Sequence, residues 1–186
     1  MDAEFITDGW LPAATHCPSP NCDRRPMGMA VDMLVVHGIS LPTGEFGGTE
    51  IDALFCNTLD TRTQFSHLQG LRVSSHVLIR RDGELRQYVP FHLRAWHAGL
   101  SAWLGRENCN DFSIGIELEG TDTIAYTDRQ YQQLDWLVAG LMAYYPAITA
   151  GRIVGHSDIA PGRKTDPGPA FDWQRLVKNL KNLTEA

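Results

Sequence analysis

The sequence predicts one α/β domain, a central mixed β-sheet flanked by helices. Three observations predict it. Short β-branched runs, MLVVHGI at 33–39 and RIVGH at 152–156, read as buried central strands. FSIGIELEG at 112–120 alternates with period two. Two segments of helical period, TDRQYQQLDWLVAGLMAYYP and FDWQRLVKNLKNL, interleave with such strands. A chain of 186 residues with no long linker, repeat or low-complexity tract suits a single core.

Taken in order, residues 1–30 are rich in Pro, Asp and small side chains and read as an irregular leader packed on a domain spanning 31–186. The strand at Met33–Ile39 is followed by the glycine-rich LPTGEFGG, after which Thr49 is expected to cap a short helix through IDALFCNTL. In SHVLIRRDGELRQYVP, Asp82-Gly83 lies between two alternating runs, the signature of a β-hairpin from about Ser75 to Val89. Ile114, Ile116 and Leu118 point to one side of the next strand; Gly115, Glu117 and Glu119 point to the other. Thr127 and Gln130 form a capping box for the first long helix, whose stripe is Tyr131, Leu134, Val138, Leu141 and Tyr145, and Pro146 ends it. Trp173, Leu176, Val177 and Leu180 form the inward stripe of the last helix.

Composition narrows the function. A net charge of −6, with 43% hydrophobic and 20% charged residues, is that of a soluble protein and argues against nonspecific binding to nucleic acid or anionic lipid. No apolar run approaches a membrane span, and MDAEFITDGWLPAA lacks the pattern of a secretory signal. These features point to the cytoplasm, where the four cysteines are free thiols, and the protein is expected to be a monomer. Cys17 and Cys22, in HCPSPNCD, resemble half a metal knuckle but have no second Cys/His pair nearby.

Chemistry concentrates at strand ends. His37 in LVVHGI and His156 in IVGHSD close two apolar strands, where α/β sheets place their sites. Asp166 follows in GHSDIAPGRKTDPGP, a loop whose prolines and glycines specify its path. Two imidazoles and a carboxylate hold one zinc ion with a tetrahedral position open, the arrangement of a catalytic site; a hydrogen-bonded core histidine is the competing explanation for each ring. Glu117 sits mid-strand, where a carboxylate is costly unless paired with an arginine or put to use moving a proton beside the metal. Gly115, on the same side, leaves room beside it, whereas Glu119 near the strand end reads as a solvent-facing or structural acid. Lys164, two residues before Asp166 in an extended loop, is either a surface lysine or the cation that stabilises an oxyanion. Arg72 is a candidate fork for substrate carboxylates, and Trp96 and His97 in RAWHAG are candidate cleft residues, core packing being the alternative for Trp96. His76 reads as structural.

Together LVVHGISLPTGEFGG, RVSSHVLIRRDGELRQYVPF, RAWHAG, NCNDFSIGIELEGTDT and GHSDIAPGRKTDPGPAFDW resemble the zinc-dependent N-acetylmuramoyl-L-alanine amidases, and most nearly the cytoplasmic anhydromuramyl-peptide amidases of the AmpD type. The resemblance runs from about Trp10 to Trp173. It implies the fold shared with phage amidases and peptidoglycan recognition proteins, one Zn2+ on His37, His156 and Asp166, Glu117 as acid/base, and Lys164 as stabilising cation. It also implies hydrolysis of the amide between (anhydro-)N-acetylmuramic acid and L-alanine of an anhydromuramyl-peptide substrate, in wall recycling linked to β-lactamase induction. Relatives of this fold that bind peptidoglycan without cutting it lack a metal ligand, and all three positions match here. Close relatives often carry Asn after the first histidine, where this chain has Gly38.

Overall fold

The structure, a computed structural model, describes residues 4–184. The first three positions of the expected leader and the last two of the expected domain lie outside the described residues. The strands are β1 (Thr15–His16), β2 (Cys22–Arg24), β3 (Met33–Ile39), β4 (Val77–Ile79), β5 (Leu85–Gln87), β6 (Leu93–Ala95), β7 (Ala102–Trp103), β8 (Arg106–Glu107), β9 (Ser113–Glu119) and β10 (Ile153–Gly155). The α-helices are α1 (Glu50–Phe55), α2 (Asp128–Tyr144), α3 (His156–Ile159) and α4 (Trp173–Thr184).

Six strands form the central sheet in the order β1-β5-β4-β9-β3-β10. The β4–β5 hairpin is its antiparallel pair; β1 runs parallel to β5, and β4, β9, β3 and β10 run parallel to one another. Central β9 is buried along its whole length, as a parallel strand covered on both faces must be. Its register sets Val35 beside Gly115, His37 beside Glu117, and Leu78 beside Glu117. Partners in a parallel pair point to the same face, so this register decides which residues meet.

One face carries the main core. Leu34, Val36, Ile114, Ile116 and Leu118 pack there with Tyr131, Leu134, Leu137, Val138 and Leu141 of α2 and Leu176 and Leu180 of α4. The α2 capping box forms as its sequence requires: Gln130 N–H donates to Thr127 Oγ1 (3.2 Å) and Thr127 N–H to Gln130 Oε1 (3.0 Å). The opposite face holds two smaller clusters. Met33, Val35, Phe112 and Val154 form one, and Ile51, Leu54 and Phe55 of α1 form the other with Leu78 and Tyr88.

Several local expectations need correction. Thr49 precedes α1 but makes no side-chain cap, and the helix ends at Phe55 rather than running through Leu59. Its anchor is long-range instead: Arg80 Nη2 donates to Asp52 Oδ2 at 3.0 Å. Val177 is exposed, because the stripe of α4 that reaches the core is Leu176 and Leu180. Tyr145 falls at the C-cap of α2, where the helix has ended, and is only partly buried. The segment before residue 30 is not wholly irregular. It buries Ile6 and Leu11 in the main core and contributes β1 to the sheet and β2 to a ribbon with β6.

Candidate metal centre and active site

Three strands deliver the site to one face. His37 stands on β3 beside Glu117 on β9, and β10 pairs with β3 so that Gly155 lies opposite Val36. His156, next in sequence, therefore enters the same face as the chain turns into α3. Asp158 Oδ2 accepts from Gly155 N–H (2.7 Å), fixing that turn. The chain returns through a tight turn closed by Lys164 N–H donating to the Ala160 carbonyl (3.0 Å). Ser157 N–H then donates to the Asp166 carbonyl (3.0 Å), locking the end of the loop to its start.

The result is a triangle of donor atoms. His37 Nδ1 and His156 Nδ1 are 2.9 Å apart, and Asp166 Oδ2 lies 3.2 Å and 3.1 Å from them. Among the described residues this is the group of His, Cys, Asp and Glu side chains able to hold a metal ion; Cys17 and Cys22 form no such group and are free. Hydrogen-bond direction tests the fit. His156 Nε2 lies 3.1 Å from the Ala98 carbonyl, which can only accept, so this nitrogen carries the proton and Nδ1 is bare in the neutral ring. The buried side of His37 is likewise occupied, its Nε2 lying 2.9 Å from His97 Nδ1. Nitrogen lone pairs and a carboxylate oxygen facing one another at such distances call for a cation between them, and a divalent ion with nitrogen and oxygen preference fits.

Electrostatics agree. Burial pushes the His37 imidazole down to about 4, against the pull of Asp166, so a proton is a poor substitute for a metal there. Burial acts to raise Asp166, but contact with the two imidazoles holds its carboxyl well below the usual range, the direction in which positive charge at this point, a ring proton or a metal ion, drives a carboxylate. Glu117 shows the opposite behaviour: burial, then the neighbouring Asp166 charge, pushes it well above the carboxylate range, with Lys164 opposing. No arginine among the described residues pairs with it. That partner belongs to Glu119, which accepts from Arg80 Nη1 (3.3 Å), Gly47 N–H (2.6 Å) and Arg81 N–H (3.1 Å) and is a buried structural acid, not a solvent-facing one.

A cleft of about 420 Å³ opens over these groups, and its lining includes His37, Glu117, His156, Lys164 and Asp166 together with Arg72, Trp96 and His97. Lys164 and Arg72 are exposed on its walls, Arg72 touching only Asn57 Oδ1 and the Leu71 carbonyl at 3.4–3.5 Å. Trp96 is half-buried, its backbone N–H donating to Ser74 Oγ (3.1 Å). His97 is buried, and protein atoms engage both of its ring nitrogens.

Two glycines make room for this arrangement. A Cβ on Gly115 would come within 2.5 Å of His97 Cγ, so the space expected beside Glu117 is filled by the His97 ring. A Cβ on Gly38 would come within 2.3 Å of the Tyr126 hydroxyl, which donates to the Pro167 carbonyl at 3.0 Å. The room that an asparagine would need is thus taken by a tyrosine bracing the Asp166 loop. Sequence reading passed over Tyr126, Ser113 and Asn110, whose Oδ1 accepts from the backbone N–H of both His97 and Ala98 (3.1 and 2.8 Å). Ser113 alone left a signal, lying in phase with Gly115 and Glu117 on the alternating strand.

A sheet face bearing three convergent donors able to hold a metal ion, a buried carboxyl and an exposed lysine along one cleft is the arrangement expected of a hydrolase. Residues 27–169 match the family model described as N-acetylmuramoyl-L-alanine amidase. The chain is 61% identical, over 92% of its length and 94% of the relative's, to the 1,6-anhydro-N-acetylmuramyl-L-alanine amidase AmpD of Escherichia coli K12. A crystal structure of a selenomethionine AmpD derivative superposes with a TM-score of 0.92 at 58% identity, covering 95% of this chain and 99% of that one. The E. coli amidase AmiD, solved with anhydro-N-acetylmuramic acid-L-Ala-D-γ-Glu-L-Lys, superposes with a TM-score of 0.60 at 32% identity over 84% of this chain and 60% of its own. The chain belongs to the N-acetylmuramoyl-L-alanine amidase family.

Proposed function

We propose that the chain is a zinc-dependent 1,6-anhydro-N-acetylmuramyl-L-alanine amidase that hydrolyses the amide between the lactyl group of anhydromuramic acid and L-alanine of peptidoglycan fragments. The observation that carries the reading is the pairing of the donor triangle of His37, His156 and Asp166 with an unpartnered buried Glu117 on the adjacent strand. The kinship to AmpD supplies the bond: the relatives at about 60% identity cover nearly the whole chain.

Zinc in this site would polarise the scissile carbonyl and bring the pKa of a water molecule to roughly 7. Glu117 takes the proton from the attacking water on a carboxylate oxygen and passes it to the leaving nitrogen of L-alanine. Burial and Asp166 favour its protonated form, while Lys164 favours the carboxylate, a balance suited to a group that must both accept and release a proton. The Lys164 ammonium, exposed on the cleft wall, offsets the charge that develops on the carbonyl oxygen. Arg72 offers its guanidinium to a stem-peptide carboxylate, and Trp96 lines the sugar or peptide path.

The same reading makes the substrate a soluble fragment met in the cytoplasm by a monomer, a setting in keeping with four free cysteines, and no helix among the described residues is long and apolar enough to cross a membrane. Mass spectrometry of an anhydromuramyl-tripeptide digest tests the proposal. Free tripeptide appearing with zinc, vanishing with chelator and returning on zinc addition is the expected result. Zinc bound without cleavage would make the protein a binder of peptidoglycan instead.

A further inference from the structure

Behind the donor triangle lies a chain of hydrogen bonds whose direction is fixed at its far end. Ser113 Oγ lies 2.6 Å from the Cys109 carbonyl. A carbonyl cannot donate, so the hydroxyl gives its only proton there. His97 Nε2, 3.2 Å from the same Oγ, must then be the donor of that bond. In a neutral ring this leaves His97 Nδ1 bare, and neutrality suits a ring enclosed among the imidazoles of His37 and His76. His97 Nδ1 is 2.9 Å from His37 Nε2, so His37 carries its proton on Nε2 and turns a bare Nδ1 to Asp166 and His156. The rings of His37 and His97 meet edge to face, 87° apart. The backbone around His97 is clamped by Asn110, and Gly115 clears the space for its ring.

We infer that His97 is a positioning residue and not a substrate contact: with Ser113 it fixes the Nε2–H tautomer of His37 and so prepares His37 Nδ1 to ligate the metal. The inference rests on the reading of His37 as a ligand. It assigns a task to three residues of the β9 face and its cover, Ser113, Gly115 and His97, that packing alone does not require. Partners of this kind that hold a ligating imidazole are worth about 10–100-fold in metal affinity.

The test uses the full chain and zinc alone. Long-range 1H–15N correlation of histidine-labelled protein, with chelator and with zinc, should show the Nε2–H tautomer for His37 and His97 in both states. Zinc affinity, measured by competition with a chromophoric chelator, should fall about 10–100-fold in His97→Leu and less in His97→Asn, whose amide oxygen still accepts from His37 Nε2–H. A space-filling role predicts the reverse order, since leucine is the better match in volume. Ser113→Ala should release the tautomer of His97, visible as Nδ1–H signal, and Ser113→Thr should restore the wild-type pattern. Gly115→Ala, which removes no hydrogen-bonding group but crowds the His97 ring, should weaken zinc as His97→Leu does. A wild-type His37 protonated on Nδ1, or equal zinc affinity in His97→Leu and wild type, would overturn the relay with the metal site intact. A wild type that bound no zinc would overturn the ligand reading itself.

Discussion

The two faces of β9 are made from alternate residues of one strand, and they are held together differently. Ile114, Ile116 and Leu118 enter a continuous apolar layer with α2 and α4, where stabilisation comes from area removed from water and no atom needs a particular partner. Ser113, Gly115, Glu117 and Glu119 face the other way, and there three of the four positions have a specific neighbour: a carbonyl and a ring for Ser113, a ring for Gly115, an arginine for Glu119. Glu117 is the exception, buried beside Asp166 without a cation of its own on the sheet. The first face is tolerant and sets stability. The second is exacting and carries the proposed chemistry. One strand can serve both because side chains alternate across a sheet, leaving the site on a backbone that the opposite core keeps rigid.

The largest expected effect lies on the exacting face. Glu117→Gln should lower kcat by about 10²–10⁴-fold with zinc content unchanged by elemental analysis, whereas Asp166→Ala should lose the zinc as well. Near-wild-type turnover in Glu117→Gln would give the proton transfer to another group. On the tolerant face, Ile116→Ala, one residue away, should cost about 2–5 kcal/mol in urea unfolding while kcat per folded molecule stays within about twofold. A loss of kcat there would mean that the two faces are not separable.

A smaller effect should appear on acidification. His76 is buried, with Nδ1 accepting from Gly115 N–H (3.0 Å) and Nε2 facing the Leu93 carbonyl, and burial holds its pKa well below the usual histidine value. Its native pKa is depressed, so the unfolded chain takes up a proton that the fold refuses. Stability is full above about pH 6.5 and falls as pH drops below it, by up to about 1.4 kcal/mol per pH unit for such a ring. Urea midpoints of zinc-free protein between pH 7.5 and 5 should show this fall, with a shallower slope in His76→Gln. The smallest effect belongs to the exposed Val177, where serine should change stability by less than about 0.5 kcal/mol in the same assay.

Much of the fold was legible because its signals are local. The alternation of FSIGIELEG, the Asp82-Gly83 turn and the Thr127/Gln130 box each depend on residues within a few positions of one another. His37, His156, Asp166 and Glu117 stood out for a related reason, since each is a polar group in a segment that would otherwise be apolar or conformationally specified. The failures were of a different kind. Thr49 has the right identity for a cap, yet α1 is anchored by Arg80 from the β4–β5 hairpin. Val177 lies beside the correct stripe of α4, but Leu176 and Leu180 are the positions that the rest of the core covers.

By itself the sequence determined the main elements, most of their apolar faces and an inventory of residue types suited to binding a metal or moving a proton, because hydrophobic period and residue type are properties of neighbours along the chain. Only the tertiary structure decided how those groups are shared out. Register placed His37 beside Glu117, Arg80 went to Glu119 rather than Glu117, Tyr126 took the room beside Gly38, and His97 came to stand behind His37 instead of in front of it. The physical reason is that a buried polar atom must find its partner within about 3 Å, and strand pairing brings such partners from segments scores of residues apart.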